Sequence, residues 1–201
     1  MMSKLTANFY QRGDVLTISR ELLGKVIYTN FHDKLTSGII VETEAYAGIT
    51  DKASHAYGGK RTKRTETMYL PGGTSYIYLC YGIHHLFNII TSGENIPHAV
   101  LLRAIEPQDG IKIMLQRRNK KKEDQSLTAG PGSLTQALGI TVKDSGTLLM
   151  GNFIWLEDQN IQINNQDILA TPRVGVQYAG EDAQNPWRFQ VEISPWMNPA
   201  S

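Results

Sequence analysis

The sequence predicts an α+β fold: a single mixed domain around a curved, mainly antiparallel β-sheet, roll-like or open-barrel-like, with short flanking helices. Three observations support this prediction. Strand-like segments outnumber helical ones, many neighbouring strands are spaced like hairpins, and no repeat, low-complexity block or Pro/Gly/Ser linker divides the chain. Because 201 residues suffice to bury a sizeable core, we expect residues 1–201 to form one domain.

The first part of the chain is predicted to contain one helix and two strands. Residues 14–24 (DVLTISRELLG) carry apolar side chains at helical spacing, Asp14 can cap the start, and Gly24 suits the position past the end. KVIYTN and SGIIVETEAY then predict two strands joined by the polar turn FHDKLT. The glycine-rich, basic segment that follows has little periodicity, and a loop of that length is usually functional or disordered.

The rest of the chain is predicted to add strands and two short helices. TSYIYLCYG and HAVLLRAIEP are strand-like, IKIMLQRR has helical spacing, and SLTQALG predicts a helix just after Gly130-Pro131-Gly132. The C-terminal third contains four predicted short strands, NFIWLED, NIQIN, PRVGVQY and WRFQVEI.

The composition excludes several classes of protein. Lys and Arg number 20 against 19 Asp and Glu, a net charge of +1, which argues against coating nucleic acid by charge alone but permits a local basic patch. The only cysteine, Cys80, excludes an intramolecular disulfide framework and favours a reducing compartment. The histidines lack metal-binding spacing, so no metal is expected. With no signal-like or long apolar segment, we expect a cytoplasmic protein that is not membrane-bound.

Residues 41–48 (VETEAYAG) place two carboxylates and an aromatic ring along one predicted strand. Side chains alternate on a strand, so Glu42, Glu44 and Tyr46 share one face. These carboxylates could face solvent, or one could be catalytic and the other supporting. Their spacing also resembles that of inverting glycosidases, but two neighbours on one strand flank a bond poorly. One glutamate is therefore expected to perform the chemistry.

Tyrosines cluster in SYIYLCYGIHH, residues 75–85. Tyr76 and Tyr78 share one face of a predicted strand, where packing is a commoner role than binding. Tyr81 directly precedes Gly82, so its ring is expected to protrude at a bend. A ring in that position could enter a base stack as a wedge.

Basic residues supply two further hypotheses. Arg103 stands in an apolar strand, so it either faces water at an edge or pairs with Glu44 and keeps that carboxylate ionised. Residues 58–64 (GGKRTKR) follow His55 and Tyr57, and residues 112–122 hold six further Lys or Arg. Such runs are usually solvated loops, but a glycine-flanked basic loop beside tyrosines matches a phosphate-tracking surface.

Together these motifs resemble the methylpurine-type alkyladenine (3-methyladenine) DNA glycosylases over roughly residues 8–197. The segments that carry the resemblance are VETEAYAG with DKASHAYGG, RTETMYLPGGTSYIYLCYGIHHLFNI, VLLRAIEP, GPGSLTQALGI, FIWLED, RVGV and SPW. The resemblance implies that residues 1–201 form a single DNA glycosylase domain without metal or organic cofactor. Its partner would be double-stranded DNA containing a damaged purine, and one pocket per lesion suits a monomer.

The resemblance also assigns roles to individual residues. Glu44 would be the general base that activates water to hydrolyse the N-glycosidic bond of a flipped purine, and Arg103 would hold that water or the lesion's phosphate. The residues expected to line the pocket are Tyr46, His55, Tyr78, Asn88 and Ile154. Those expected to contact DNA are Tyr81 as the wedge, Ile83, Arg61, Lys63 and Arg64. The resemblance leaves Glu42 unassigned, and we expect this residue to support the loop or to form a hydrogen bond at the pocket edge.

Two positions depart from the family pattern. Ile83 stands where members often carry methionine, which changes the pocket floor or the groove contact, and Ser133 stands where many carry a lysine that contacts phosphate. Together with the near-neutral charge, this predicts modest affinity for undamaged DNA. The alternatives are a non-catalytic protein that binds damaged DNA and, less well supported, a carboxylate glycosidase acting on sugars.

Overall fold

One curled antiparallel sheet of nine strands organises the part of the chain that the computed structural model describes, residues 3–196. The strands are β1 (Ser3–Lys4), β2 (Val26–Phe31), β3 (Lys34–Tyr46), β4 (Ser75–Cys80), β5 (His84–Thr91), β6 (His98–Pro107), β7 (Ile154–Asp158), β8 (Ile168–Thr171) and β9 (Arg188–Val191). They run in the order β1-β7-β2-β3-β6-β5-β4, with β9 paired to β3 and β8 to β9. The predicted α+β fold around a curved antiparallel sheet is confirmed.

The described residues include four short α-helices: α1 (Ala7–Tyr10), α2 (Val15–Glu21), α3 (Ile111–Arg117) and α4 (Pro131–Leu138). Helix α2 confirms its prediction, because Asp14 Oδ1 accepts hydrogen bonds from the N–H groups of Leu16 at 3.0 Å and Thr17 at 3.1 Å. Gly24 follows with a φ of +81°. Helix α4 begins slightly earlier than predicted, at Pro131, where the missing N–H costs no intrahelical bond.

Alternation along the strands separates the core from a second face of the sheet. On β6, Val100 and Leu102 belong to the main hydrophobic core, whereas Leu101 and Arg103 line a cavity. Strands β4 and β5 alternate in the same way. Helices α2, α3 and α4 close the core with Ile18, Met114 and Leu138.

The long segment 47–73 is ordered and folded into three 3-10 turns, Gly48–Thr50, Tyr57–Gly59 and Glu66–Tyr69. Met68 in this segment is buried against side chains of β4 and β5, and it also lines the cavity. Of the two predicted alternatives, a functional loop or disorder, the structure shows an ordered loop that builds part of a cavity wall.

Some strand predictions were wrong. NIQIN and PRVGVQY form no strand. In the second, Pro172 has no N–H to donate and Gly175 takes a φ of +74°, so the backbone leaves an extended path. The sequence analysis also missed β1, β5 and β8. Strand β5 is buried on both faces along most of its length, so it lacks the apolar–polar alternation that marks a half-buried strand.

Candidate active site

A cavity of about 470 Å³ lies on the second face of the sheet. Strands β4, β5 and β6 contribute to its lining, together with residues 53–55, the start of α4, residues 174–176 and Tyr178. Cavities of this size are typical of small-molecule sites. The fold therefore brings distant parts of the chain to one pocket.

Glu44, on β3, is a fully buried carboxylate whose partners lie in the wall of this pocket. Its Oε1 accepts a hydrogen bond from the main-chain N–H of Val174 at 2.8 Å and lies 3.3 Å from Nη1 of Arg103. Its Oε2 accepts a hydrogen bond from the hydroxyl of Tyr46 at 2.8 Å. All three donor residues line the cavity. The predicted pairing of Arg103 with Glu44 is confirmed, and a water-facing edge position for Arg103 is wrong.

Tyr46 connects the cavity to this carboxylate. Burial, and then the negative charge of Glu44, raise the pKa of Tyr46 well above its usual value, so the phenol keeps its proton and donates it to the hydrogen bond. The Arg173 guanidinium carbon lies 4.8 Å from the Tyr46 ring centroid. Arg173 in turn forms a buried, two-pronged pair with Asp51, with N–O distances of 2.5 and 2.9 Å. The ring is thus held at its hydroxyl and beside its face.

Glu42 is fully buried, like Glu44, and shares Arg103 with it. The pairing of β3 with β6 is irregular on both sides of Glu42, between Ile40 and Thr43, as in a β-bulge. Its Oε1 accepts a hydrogen bond from Nε of Arg103 at 2.7 Å and another from Nε of Arg188 at 2.7 Å. Of the two roles expected for Glu42, support of the loop or a hydrogen bond at the pocket edge, its contacts match the second, because Arg103 lines the cavity.

Three aromatic side chains form another part of the cavity lining. His55 Nδ1 and Tyr76 Oη lie 2.9 Å apart, and the His55 ring meets the Tyr78 ring edge-on, with centroids 4.6 Å apart. Burial, helped by the charges of Arg64 and Lys60, lowers the pKa of His55 to about 4. The imidazole is therefore neutral near pH 7. Tyr76, interpreted from sequence as packing, also orients this histidine.

Tyr81 and Ile83 protrude from the turn that joins β4 to β5. Tyr81 has a φ of +51° and Gly82 a φ of +75°, a left-handed backbone that a tight turn requires. The Tyr81 ring is 92% exposed and Ile83 is 70% exposed. The predicted protrusion of Tyr81 at a bend is confirmed, and its ring also borders the cavity.

Comparison with known proteins decides the family. A family model described as methylpurine-DNA glycosylase matches residues 8–195. A relative from Chlamydia felis, provisionally named 3-methyladenine DNA glycosylase, is 46% identical over 190 residues, which cover 94% of this chain and 96% of the relative. Relatives with the same provisional name from Desulfitobacterium hafniense and Bacillus cereus strain G9842 are 43% and 44% identical, over 98% and 95% of this chain and 99% and 97% of their own lengths.

The chain belongs to the methylpurine-DNA glycosylase family. It is a monofunctional DNA glycosylase, a DNA-repair hydrolase whose substrate is DNA. The resemblance found in the sequence is confirmed, and membership favours the enzyme over both a non-catalytic binding protein and a glycosidase of sugars.

Within this glycosylase, four of the five residues predicted to line the pocket do so: Tyr46, His55, Tyr78 and Asn88. Asn88 is buried, and its Nδ2 donates to the main-chain oxygens of Tyr76 at 3.1 Å and Leu86 at 3.3 Å, which fixes the amide. Ile154 is the exception. It lies fully buried in the main core on β7, because the alternation of that strand directs Ile154 and Leu156 into the core.

The three basic residues assigned to DNA contact differ in how far their charge is already paired. Arg61 pairs with Glu66 at 2.8 Å, donates to Asn95 at 3.0 Å and lies over the Tyr69 ring. Arg64 instead lies with its guanidinium carbon 5.1 Å from the Tyr78 centroid and with Nη2 3.4 Å from His55 Nε2. Lys63 is exposed on the same loop.

The second basic cluster is only partly a solvated loop. Arg117 donates to the Ala137 oxygen at 3.0 Å, and Arg118 donates to Ser133 Oγ at 3.1 Å and to the Ser126 oxygen at 3.1 Å. These two arginines therefore fasten α3 to α4. A guanidinium also lies beside Ser133, the position where the lysine of the family pattern is missing.

Besides the Asp51–Arg173 pair beside Tyr46, sequence reasoning missed three residues of the site. Val174 donates its N–H to Glu44, Arg188 bonds to Glu42, and Tyr178, 70% exposed at the cavity, donates its hydroxyl to the Ala53 oxygen at 3.0 Å. The available signals were an arginine inside each of two predicted strands, WRFQVEI and PRVGVQY, by the argument already used for Arg103.

Within residues 3–196, no three or more His, Cys, Asp or Glu side chains are grouped so that they could hold a metal ion. No helix of that part is both long and apolar enough to cross a membrane.

Proposed function

We propose that this glycosylase excises alkylated and deaminated purines from duplex DNA, namely 3-methyladenine, 7-methylguanine, hypoxanthine and ethenoadenine. The damaged nucleotide is flipped into the cavity, and water activated by Glu44 hydrolyses its N-glycosidic bond and leaves an abasic site. The observation that carries this proposal is the buried Glu44 carboxylate, whose three hydrogen-bonding or ion-pairing partners all line a cavity bordered by aromatic rings.

Base flipping needs a filler for the gap and a platform for the base. Tyr81, exposed beside the cavity, is placed to enter the base stack as the nucleotide leaves it. Flipping costs a few kcal/mol, and less when damage has weakened pairing. Tyr46 and Tyr78 offer electron-rich rings, which favour a cationic alkylated purine. His55, neutral near pH 7, supplies hydrogen bonding without repelling that cation.

The chemistry requires a proton acceptor beside the sugar. An ionised carboxylate offers about four lone-pair sites. Tyr46, Val174 and Arg103 engage three of those of Glu44, so about one remains for a water O–H. The water gives its proton to Glu44 and its oxygen bonds to C1′, while the C1′–N bond electrons depart with the base. Arg103 holds the water against Glu44.

The lesions differ in how easily the base departs. Alkylation at N3 or N7 puts positive charge on the purine, so 3-methyladenine and 7-methylguanine leave without a proton donor. Hypoxanthine and ethenoadenine must be protonated as they leave. We expect the first pair to be excised faster.

The test is single-turnover release of free base from duplex oligonucleotides that carry one such lesion. Glu44→Gln should keep lesion binding, but its rate of base release should fall by a factor of at least ~10²–10⁴, as expected for a missing general base. Glu192→Gln, a neutralised glutamate exposed at the end of β9, is the matched control and should release base at the normal rate. Near-normal excision by Glu44→Gln would remove Glu44 from this role.

We also propose that residues 1–201 work as one glycosylase domain, as a monomer in the cytoplasm. The residues that line the cavity come from one chain, so one copy can hold one lesion. The single free cysteine, Cys80, suits a reducing compartment. Light scattering on the protein with and without lesion DNA should give one copy per duplex, and two copies would contradict the monomer.

A further inference from the structure

We infer that Glu42 is a positioning residue for base excision. It holds Arg103 in place against Glu44, the proposed general base, and its negative charge offsets the positive charge of the two arginines buried beside Glu44. This inference rests on the proposed role of Glu44. Neither glutamate is itself among the residues that line the cavity. Glu44 has three partners in that lining, whereas Glu42 reaches it through Arg103, so Glu42 would act through Arg103 rather than on the substrate.

The geometry couples three neighbouring strands. Glu42 and Glu44 lie on β3, Arg103 on β6 and Arg188 on β9. Arg103 bridges the two carboxylates, because its Nε donates to Glu42 Oε1 at 2.7 Å while its Nη1 lies 3.3 Å from Glu44 Oε1. The same Oε1 of Glu42 accepts from Arg188 Nε at 2.7 Å. The guanidinium that faces the proposed water is thus oriented from behind by Glu42.

Burial makes the charge of this cluster matter. The side chains of Glu42 and Glu44 are fully buried, and those of Arg103 and Arg188 are 6% and 4% exposed. Two carboxylates oppose two guanidinium groups, so the four form a neutral unit. Removing one partner from such a group leaves an uncompensated buried charge. Without Glu42, two cations would face Glu44 alone.

Glu42 does more than satisfy arginine N–H groups. Its Oε2 is buried and has no hydrogen-bond partner among residues 3–196. A residue retained for hydrogen bonding alone would engage both oxygens or be a neutral amide, since an unsatisfied buried oxygen is unfavourable. The negative charge is the property that an amide would lack. Burial opposes the charge of Arg103, but Glu44 and Glu42 outweigh it and raise the Arg103 pKa.

The pH readout depends on every charged or titratable group near Glu44. These groups are Glu42 and Tyr46 on β3, Arg103 on β6, Arg188 on β9, Tyr78 on β4, and Arg173, its partner Asp51 and Tyr178 from the loops. Burial raises the pKa of all three tyrosines, which therefore stay neutral, and the arginines stay charged. Neutralising Glu42 increases the net positive charge at Glu44, which favours its ionised form and makes it a weaker base.

The experiment measures single-turnover release of 7-methylguanine from duplex DNA across the acidic pH range. Because 7-methylguanine leaves without a proton donor, the fall in its release rate at acidic pH (the acidic limb of the pH–rate profile) reports protonation of the general base. Glu42→Gln should lower the maximal rate by about 10- to 10²-fold, short of the loss of the base itself, and should move the acidic limb to lower pH. Binding of lesion DNA should be nearly unchanged, because Glu42 is fully buried and reaches the cavity through Arg103, which the variant retains.

Two companion variants separate charge from packing. Glu42→Gln combined with Arg188→Gln removes one charge of each sign, so the acidic limb should return to its wild-type position although the rate stays low. Glu42→Asp keeps the charge but moves it back, so it should lower the rate without moving the limb. If Glu42→Gln does not fold, Glu42→Asp still decides the matter, since a shifted limb in that variant would overturn the inference.

The outcomes also distinguish this inference from the proposed function. A wild-type rate and limb in Glu42→Gln, together with an inactive Glu44→Gln, would overturn only the inference. A double variant whose limb stays shifted would do the same, because a structural defect is not cured by restoring neutrality. Active Glu44→Gln would overturn both.

Discussion

The molecule uses arginine side chains in two regions with opposite physical settings. Behind the cavity lies a buried cluster, defined as Glu42, Glu44, Arg103 and Arg188 with the adjoining pair Asp51–Arg173. On the outside lies an exposed rim, defined as Tyr81, Ile83, Arg61, Lys63 and Arg64.

The difference shows that the buried cluster is held rigid, whereas the exposed rim can change conformation on binding. Buried pairs are strongly destabilising to break, because the remaining charge has no water to solvate it, whereas exposed pairs contribute little. The buried cluster therefore fixes atoms in advance of the reaction, as electrostatic catalysis requires. The rim is free to adjust to DNA. Four predictions test this contrast, from the largest expected effect to the smallest.

The largest effect is expected from breaking the buried pair. Asp51→Asn should lower the free energy of unfolding by about 3–5 kcal/mol, because Arg173 would be left charged and buried. Denaturant unfolding gives this quantity. Glu66→Gln, which breaks the exposed pair with Arg61, is the matched control and should not change it measurably. Equal losses in the two variants would show that burial does not distinguish the regions.

The rim should show its importance in binding rather than in stability. Tyr81→Ser should weaken binding of lesion-containing duplex DNA by about 1–3 kcal/mol, the usual value of one base–aromatic stack, and weaken single-stranded lesion binding far less. Fluorescence anisotropy on matched duplex and single-stranded probes measures both. Phe153→Ser removes another exposed ring and serves as the control. Equal losses on both probes would mean that Tyr81 is no wedge.

A smaller effect is expected from pH. Burial lowers the pKa of His55 to about 4, below the ordinary value of 6.5, so the unfolded chain binds a proton that the folded one does not. The stability that His55 contributes is complete above pH 6.5 and is lost as the pH falls towards 4. His55→Gln should flatten this part of the stability curve in urea unfolding. Burial also lowers the pKa of His98, so the contribution of His98 to the pH dependence of stability should remain in that variant. An unchanged curve would contradict a neutral His55.

The smallest effects should come from single rim cations. Arg64→Gln should reduce the slope of log affinity against log salt by about 1, because its charge has no carboxylate partner in the structure of residues 3–196. Arg61→Gln should reduce it less, since Glu66 already pairs with Arg61. For undamaged DNA, the wild-type slope should stay below that of a protein with ~10 phosphate contacts. A steeper slope would show that the modest predicted affinity is wrong.

The sequence predicted best those features that are set by residues close together in the chain. The bounds of α2 follow from Asp14 and Gly24 at its ends, and the protruding Tyr81 follows from the glycine beside it. The shared face of Glu44 and Tyr46 follows from strand alternation alone, and their 2.8 Å hydrogen bond confirms it.

Signals failed where a residue's partners lie far along the chain. PRVGVQY has the composition of a strand, but in the fold Val174 donates its N–H to Glu44 and Arg173 binds Asp51. Those bonds replace a strand ladder. The prediction that Ile154 lines the pocket failed for a related reason, because a motif match does not say which face of a strand packs against the core.

By itself the sequence determined the fold class, the family and the chemical inventory of the site, because periodicity, caps and motifs are properties of short segments. Only the tertiary structure decided which charges meet. Glu42 and Arg188 are 146 residues apart in the chain and 2.7 Å apart in space. Such a contact depends on how β3 bulges and which strand pairs with it, and the free energy that selects it comes from the packing of the whole sheet.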